Sequence, residues 1–142
     1  MPSPRAPHPA FSAAWAQAWG DELNANPAYQ EAGAAWRGDL VLEMAASTGT
    51  PARAVYLDLD QGICRAARQA TPDDLVEARY RFEGSHQAWR RLLGGALSPA
   101  VAIMTGQLKL TRGSLLDFLP YAGAVTALLG AGVAIAASFP ED

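Results

Sequence analysis

A chain of 142 residues, half of them hydrophobic and 18% charged with a mean hydropathy of +0.01, is long enough to bury one core without disulfides or metals. Its net charge of −3, its pI near 5.3 and its scattered basic residues argue against the basic stripe that marks a nucleic-acid-binding domain. The single cysteine, Cys64, excludes an internal disulfide and suits a reducing compartment, so the cytoplasm is the expected address.

Residues 1–10 carry Pro2, Pro4, Pro7 and Pro9 and lack the continuous apolar run of a secretory signal. They are expected to form a disordered lead-in to a single domain over 11–142. His8 has no second ligand nearby, no Cys/His spacing suggests a metal site, and no cofactor is expected.

From Phe11 the residues Phe11, Trp15, Trp19 and Leu23 recur at spacing four, which predicts one buried face of a helix. Asn24-Ala25-Asn26-Pro27 ends it, and Pro27 is placed to open a second, short helix with Ala28, Tyr29 and Ala32. Strand signals follow at Trp36 and over 40–44, then over 54–59, where Val55, Leu57 and Leu59 alternate with Tyr56 and Asp58. Asp60-Gln61-Gly62 predicts a type I turn with one left-handed residue, returning the chain antiparallel over 63–66. With a further alternating strand over 78–82, these segments predict a meander. Asp58 and Asp60 would then face Arg79 and Arg81 as solvated ion pairs rather than a catalytic cluster.

Ser85 predicts the N-cap of a helix over 86–93, with Trp89, Leu92 and Leu93 buried and His86 on an exposed first turn. Gly94-Gly95 stops it. Ser98-Pro99 opens a short helix over 100–104 that ends at Gly106, and residues 107–110 form a strand with Leu108 and Leu110 on one face. The last helices are expected over 114–119 and from Tyr121 to about Ala137.

Residues 118–140 are apolar and free of charge, so they must cover a core, cross a membrane or line a space for an apolar ligand. Pro120, Tyr121 and several glycines argue against a span, and no basic residue follows either end closely. Gly123, Ala124, Ala127, Gly130, Ala131 and Gly132 project little volume and weaken the helix, which favours an apolar space beneath a mobile lid. The pattern as a whole predicts an α+β domain whose antiparallel sheet is covered by helices on its apolar face.

The order strand, hairpin, strand is followed by Phe82-Glu83-Gly84-Ser85, Trp89-Arg90-Arg91-Leu92-Leu93-Gly94-Gly95, the stretch 97–106, the strand 107–110 and Gly113. With the openings at 23–29 and 36–40, these segments resemble the sterol carrier protein 2 family, in its prokaryotic stand-alone form, over residues 11–137. The resemblance implies a five-stranded, largely antiparallel sheet whose helices enclose a hydrophobic tunnel for a fatty acid, an acyl chain or another lipid. By matching positions the tunnel would be lined by Trp89, Leu93, Leu97, Ile103, Met104, Leu108, Leu110, Leu115, Leu116, Phe118, Leu119, Val125, Leu128 and Leu129. Ordinary core packing is the alternative for each.

The implied function is non-catalytic carriage of an apolar small molecule, with transient contact at a membrane surface. An enzyme is disfavoured because a nucleophile needs a base, and His86 is the sole histidine in the folded region. Cys64 reads as a small buried hydrophobe, and phosphate-cradling glycine motifs are missing. Two alternatives stay open: an accessory subunit that presents a hydrophobic substrate to a partner enzyme, and a structural homodimer packed through the last helix.

Overall fold

Side-chain caps set the helix starts. The Ser12 hydroxyl accepts the Trp15 N–H at 3.2 Å and begins α1 (Ala13–Asn24), and Asn26 does the same for α2 (Pro27–Ala32), where Pro27 costs no hydrogen bond. Both belong to a computed structural model that describes residues 8–47, 49, 51–114, 116, 119–133, 135 and 137–138.

The strands β2 (Arg37–Met44), β3 (Arg53–Asp60), β4 (Ile63–Gln69), β5 (Tyr80–Gly84) and β6 (Leu108–Arg112) form one five-stranded sheet in the order β4-β3-β2-β5-β6. Three of its pairings are antiparallel, and β2–β5 is parallel. The α+β class with a five-stranded, largely antiparallel sheet therefore holds, but the meander stops at β4. The chain crosses back to place β5 beside β2, and a parallel neighbour requires such a crossover. It contains α3 (Pro72–Glu77), a helix not among the expected elements although Thr71-Pro72-Asp73-Asp74 is a capping box with proline in the first turn. The strand expected over 78–82 starts two residues later, at Tyr80.

The β3–β4 turn has Gln61 at φ 51° and Gly62 at φ 87°, so both central residues are left-handed and the turn is type I′ rather than type I. A Cβ at Gly62 would lie 2.7 Å from the Gln30 carbonyl oxygen. Arg65 is an extra residue in β4, bulged between the pairs Leu59–Cys64 and Asp58–Ala66.

Ion pairs on the second sheet face differ from expectation because β2 separates β3 from β5. Asp58 and Asp60 bind Arg65, and Asp60 also binds Arg37, while Arg81 pairs with Glu43. Here α3 lies across the sheet, tied by Arg68 to Asp74 at 2.8 Å and by the Arg81 guanidinium to the Leu75 carbonyl. Burial pushes the Asp74 carboxyl upward, but hydrogen bonds from Arg68 and Thr71 outweigh it and hold its pKa below the ordinary 3.8. A carboxyl depressed on folding stabilises the fold above its unfolded pKa and loses that contribution as the pH falls through the folded value. Asp74→Asn should therefore cost about 1–2 kcal/mol at pH 7, by loss of the charge-assisted bonds that the carboxylate accepts from Arg68 and from the Thr71 backbone N–H. Urea titrations should show the difference from the parent narrowing below about pH 4. A gap that persists at pH 2 would contradict this account.

The other face carries the main core, covered by α1, α4 (His86–Leu93), α5 (Pro99–Met104) and α6 (Ala122–Val133). The last helix is shorter than expected, and a 3-10 turn, Leu119–Tyr121, leads into it. Of the helix expected over 114–119, residues 115, 117 and 118 lie outside the described residues. Two short strands, β1 (His8–Pro9) and β7 (Ala137–Ser138), pair in parallel. Ala10 and Phe11, which follow β1, are buried; of the expected lead-in, residues 1–7 lie outside the described residues.

Candidate functional site

Sheet alternation turns Leu40, Leu42, Leu57 and Phe82 toward the covering helices, where all are essentially inaccessible to solvent. Trp89, Leu93, Leu97, Leu108, Val125, Leu128 and Leu129 join them in one contiguous cluster, and Ile103 and Leu110 pack against it half-buried. Met104 is 84% exposed and Leu116 78% exposed, so neither lines the interior as expected. In the single turn and a half of α5 only Ala102 is fully buried, and Met104, at its end, turns outward. Leu115 and Phe118 lie outside the described residues, as does the side chain of Leu119.

Aromatic rings fill much of the space between sheet and helices. Trp15 and Trp19 lie 4.9 Å apart, Phe11 lies 4.8 Å from Trp15, and Trp89 meets Phe11 edge-on at 5.1 Å. This continuous chain of rings joins the N-terminal segment, α1 and α4. Two indoles use their polar edge as anchors: Trp19 Nε1 donates to the Leu128 carbonyl at 3.1 Å, and Trp89 Nε1 donates to the Glu43 carbonyl at 2.9 Å. The Trp15 Nε1 is buried without an acceptor among the described residues. Spacing four identified Trp15 and Trp19 as buried, yet only the folded arrangement shows that Trp19 holds α6.

The small residues of α6 do not all face inward. Gly123 and Gly130 are exposed, and a Cβ at either would meet nothing within 4 Å. Gly132 abuts Trp19 and Leu93, each 3.1 Å from where its Cβ would be. There the missing side chain admits a ring rather than leaving a gap.

Among the described residues, two surface clefts are lined well enough to define. One of about 460 Å³ is lined by Ala45, Ala46, Ser47, Ser85, His86, Gln87 and Arg90. His86 is 6% exposed there, in contrast to the exposed first turn expected from sequence, because the Ser85 cap seats the start of α4 beside the end of β2. The other, of about 430 Å³, lies between Ala35, Trp36, Arg37, Arg79, Tyr80, Leu116, Pro120 and Tyr121. Its floor is aromatic, with Trp36 5.2 Å from Tyr80 and edge-on to Tyr121 at 5.0 Å.

Cys64 is buried, and burial pushes its thiol up to about 11. The Asn24 amide brackets its backbone at 2.9 and 3.0 Å, fixing the end of α1 to β4. Among the described residues no group of His, Cys, Asp and Glu side chains is placed to hold a metal, and no helix is long and apolar enough to cross a membrane.

No protein-family model matches the chain, and no curated protein matches its sequence. Solved structures do. A crystal structure of sterol carrier protein 2 superposes with a TM-score of 0.82 at 35% identity, over 89% of this chain and 99% of that one. A conserved hypothetical protein from Thermus thermophilus, described there as a candidate sterol carrier protein, gives 0.81 at 32% identity over 97% of both chains. Sterol carrier protein 2 from Yarrowia lipolytica, in its apo form, shares the fold at 18% identity and a TM-score of 0.52, over 80% of this chain and 88% of that one. With a third of its residues identical across nearly the whole length of that first structure, and the same sheet and helical cover, this chain belongs to the sterol carrier protein 2 family.

Proposed function

We propose that this protein binds and carries an acyl-chain lipid, without catalysis, in the apolar interior between the sheet and α6. The observation that carries the reading is the cover itself: a 12-residue apolar helix laid over an apolar interior in a chain of this family. Three features make α6 removable. It is glycine-rich and so weak as a helix, it is entered through a 3-10 turn, and among the described residues its indole tether is the Trp19 bond. Rings fill the closed interior, so a ligand is admitted by lifting α6 and rearranging aromatic side chains.

An acyl chain of about a dozen carbons gains roughly 0.8 kcal/mol per methylene removed from water, enough to offset the cost of ordering it. Val101, Met104, Leu116 and Val133 are apolar and exposed, and they would give the opened protein transient purchase on a lipid surface.

Native mass spectrometry of the gently purified protein, followed by organic extraction, tests the reading. A stoichiometric acyl lipid supports it. A bare mass together with no uptake of fluorescent fatty acid overturns it and favours the accessory-subunit or homodimer alternatives.

Trp19→Phe isolates the tether, since it keeps a ring in place and deletes the donor to Leu128. Loss of one hydrogen bond should cost about 1 kcal/mol and speed lipid uptake about fivefold in stopped-flow fluorescence. An unchanged uptake rate would mean that α6 does not open along that bond.

A further inference from the structure

We infer that the cleft between Arg37 and Arg79 is the headgroup site for a fatty-acid carboxylate, an assignment that rests on the carrier reading and names the polar end of its ligand. The cleft sits where β2 and β5 begin and where the 3-10 turn passes into α6. Both arginines are exposed at its mouth, and below them Trp36 and Tyr80 belong to the main core while Tyr121 packs against it. One place therefore presents cations to solvent and an aromatic wall to the interior, at the end of the helix proposed to lift.

The donors match one negative group. Arg37 is bonded through Nε to Asp60 at 3.1 Å, and Asp60 also takes Arg65 at 3.5 Å. Among the described residues Asp39 also lies beside this strand end, its carboxylate accepting from the Tyr56 hydroxyl and the Arg79 backbone N–H rather than from a guanidinium. Among the described residues the Arg79 guanidinium contacts no carboxylate, and lies 5.6 Å from the centroid of the Tyr80 ring. A monoanion with two acceptor oxygens suits the planar fork of donors that this guanidinium brings to the cleft. A carboxylate held there stays partly hydrated, so it avoids the desolvation that burial under α6 would impose. Its alkyl tail would pass Tyr121 into the space that α6 covers. Exposed Leu116 at the rim adds apolar contact to the first methylenes.

Binding of palmitate and of hexadecanol, equal in chain length and different in charge, should be measured by displacement of a fluorescent lipid from the full chain. The parent, Arg79→Gln, Arg79→Lys and the double variant Arg37→Gln/Arg79→Gln are compared at low and high salt, with thermal unfolding to confirm that each is folded. The parent should prefer palmitate by about tenfold, the double variant should lose that preference with hexadecanol affinity unchanged, and Arg79→Lys should keep most of it. High salt should shrink the preference in the parent, as expected for exposed charges. Equal affinity for acid and alcohol in the parent, or a preference that survives in the double variant, overturns the headgroup site and leaves lipid carriage standing. Binding of neither compound overturns both.

Discussion

Trp89→Ala is expected to remove about 3–5 kcal/mol of folding free energy, a large share of the roughly 5–15 kcal/mol that a domain of this size possesses. Three roles meet in that side chain. It is wholly buried, so truncation opens a cavity the size of an indole in a core that relaxes only partly. Its Nε1 ties α4 to the Glu43 carbonyl of β2, across a Gly84 whose Cβ, if present, would approach the indole nitrogen to 3.0 Å. Its edge also supports Phe11, which is fully buried at a left-handed φ of 61°, a conformation that persists only where packing imposes it. Trp89→Phe keeps most of the volume and loses the donor, so about 1–3 kcal/mol is expected for it. Urea unfolding of the two variants checks the ordering. A cost below about 1 kcal/mol for Trp89→Ala would show that the aromatic chain closes around the gap and that α4 is held elsewhere.

Trp89 was legible because it repeats with Leu92 and Leu93 on one helix face behind a serine cap, and local periodicity of that kind reports burial well. The alternation of Val55, Leu57 and Leu59 likewise placed the core face of β3 correctly. What local pattern does not encode is adjacency. The parallel pairing of β5 with β2 depends on a crossover through α3, a six-residue polar helix with no apolar period to announce it, although its capping box was present to be read. The β1–β7 pair is two residues long and joins the two ends of the fold, so neither half carries a signal of its own. Inward and outward positions of α6 were ambiguous because the helix is apolar on all sides, and periodicity fails where every position looks buried. The Arg37–Arg79 cleft was invisible for a related reason. Its members come from two strand starts and a C-terminal turn, and alternation alone had sent Arg79 toward Asp58 and Asp60.

Two glycines of α6 should respond in opposite directions if this helix is the cover. At Gly132 a leucine would drive its carbons into Trp19 and Leu93, both buried, since even a Cβ stands 3.1 Å from each. Overpacking of that kind costs about 1–3 kcal/mol, and the compliant response is for α6 to lift. Gly132→Leu should thus unfold a few degrees earlier, bind more of an apolar dye and take up lipid faster. At Gly130 the backbone is exposed and an added methyl meets nothing within 4 Å. Gly130→Ala should therefore gain about 0.5–1 kcal/mol from helix propensity alone and slow uptake by restraining the same motion. Thermal unfolding and stopped-flow uptake measured on both variants separate packing from gating. If the two stabilities move apart as described while the uptake rates stay equal, lipid enters by a route that leaves α6 in place, and the lifting helix is excluded as the gate.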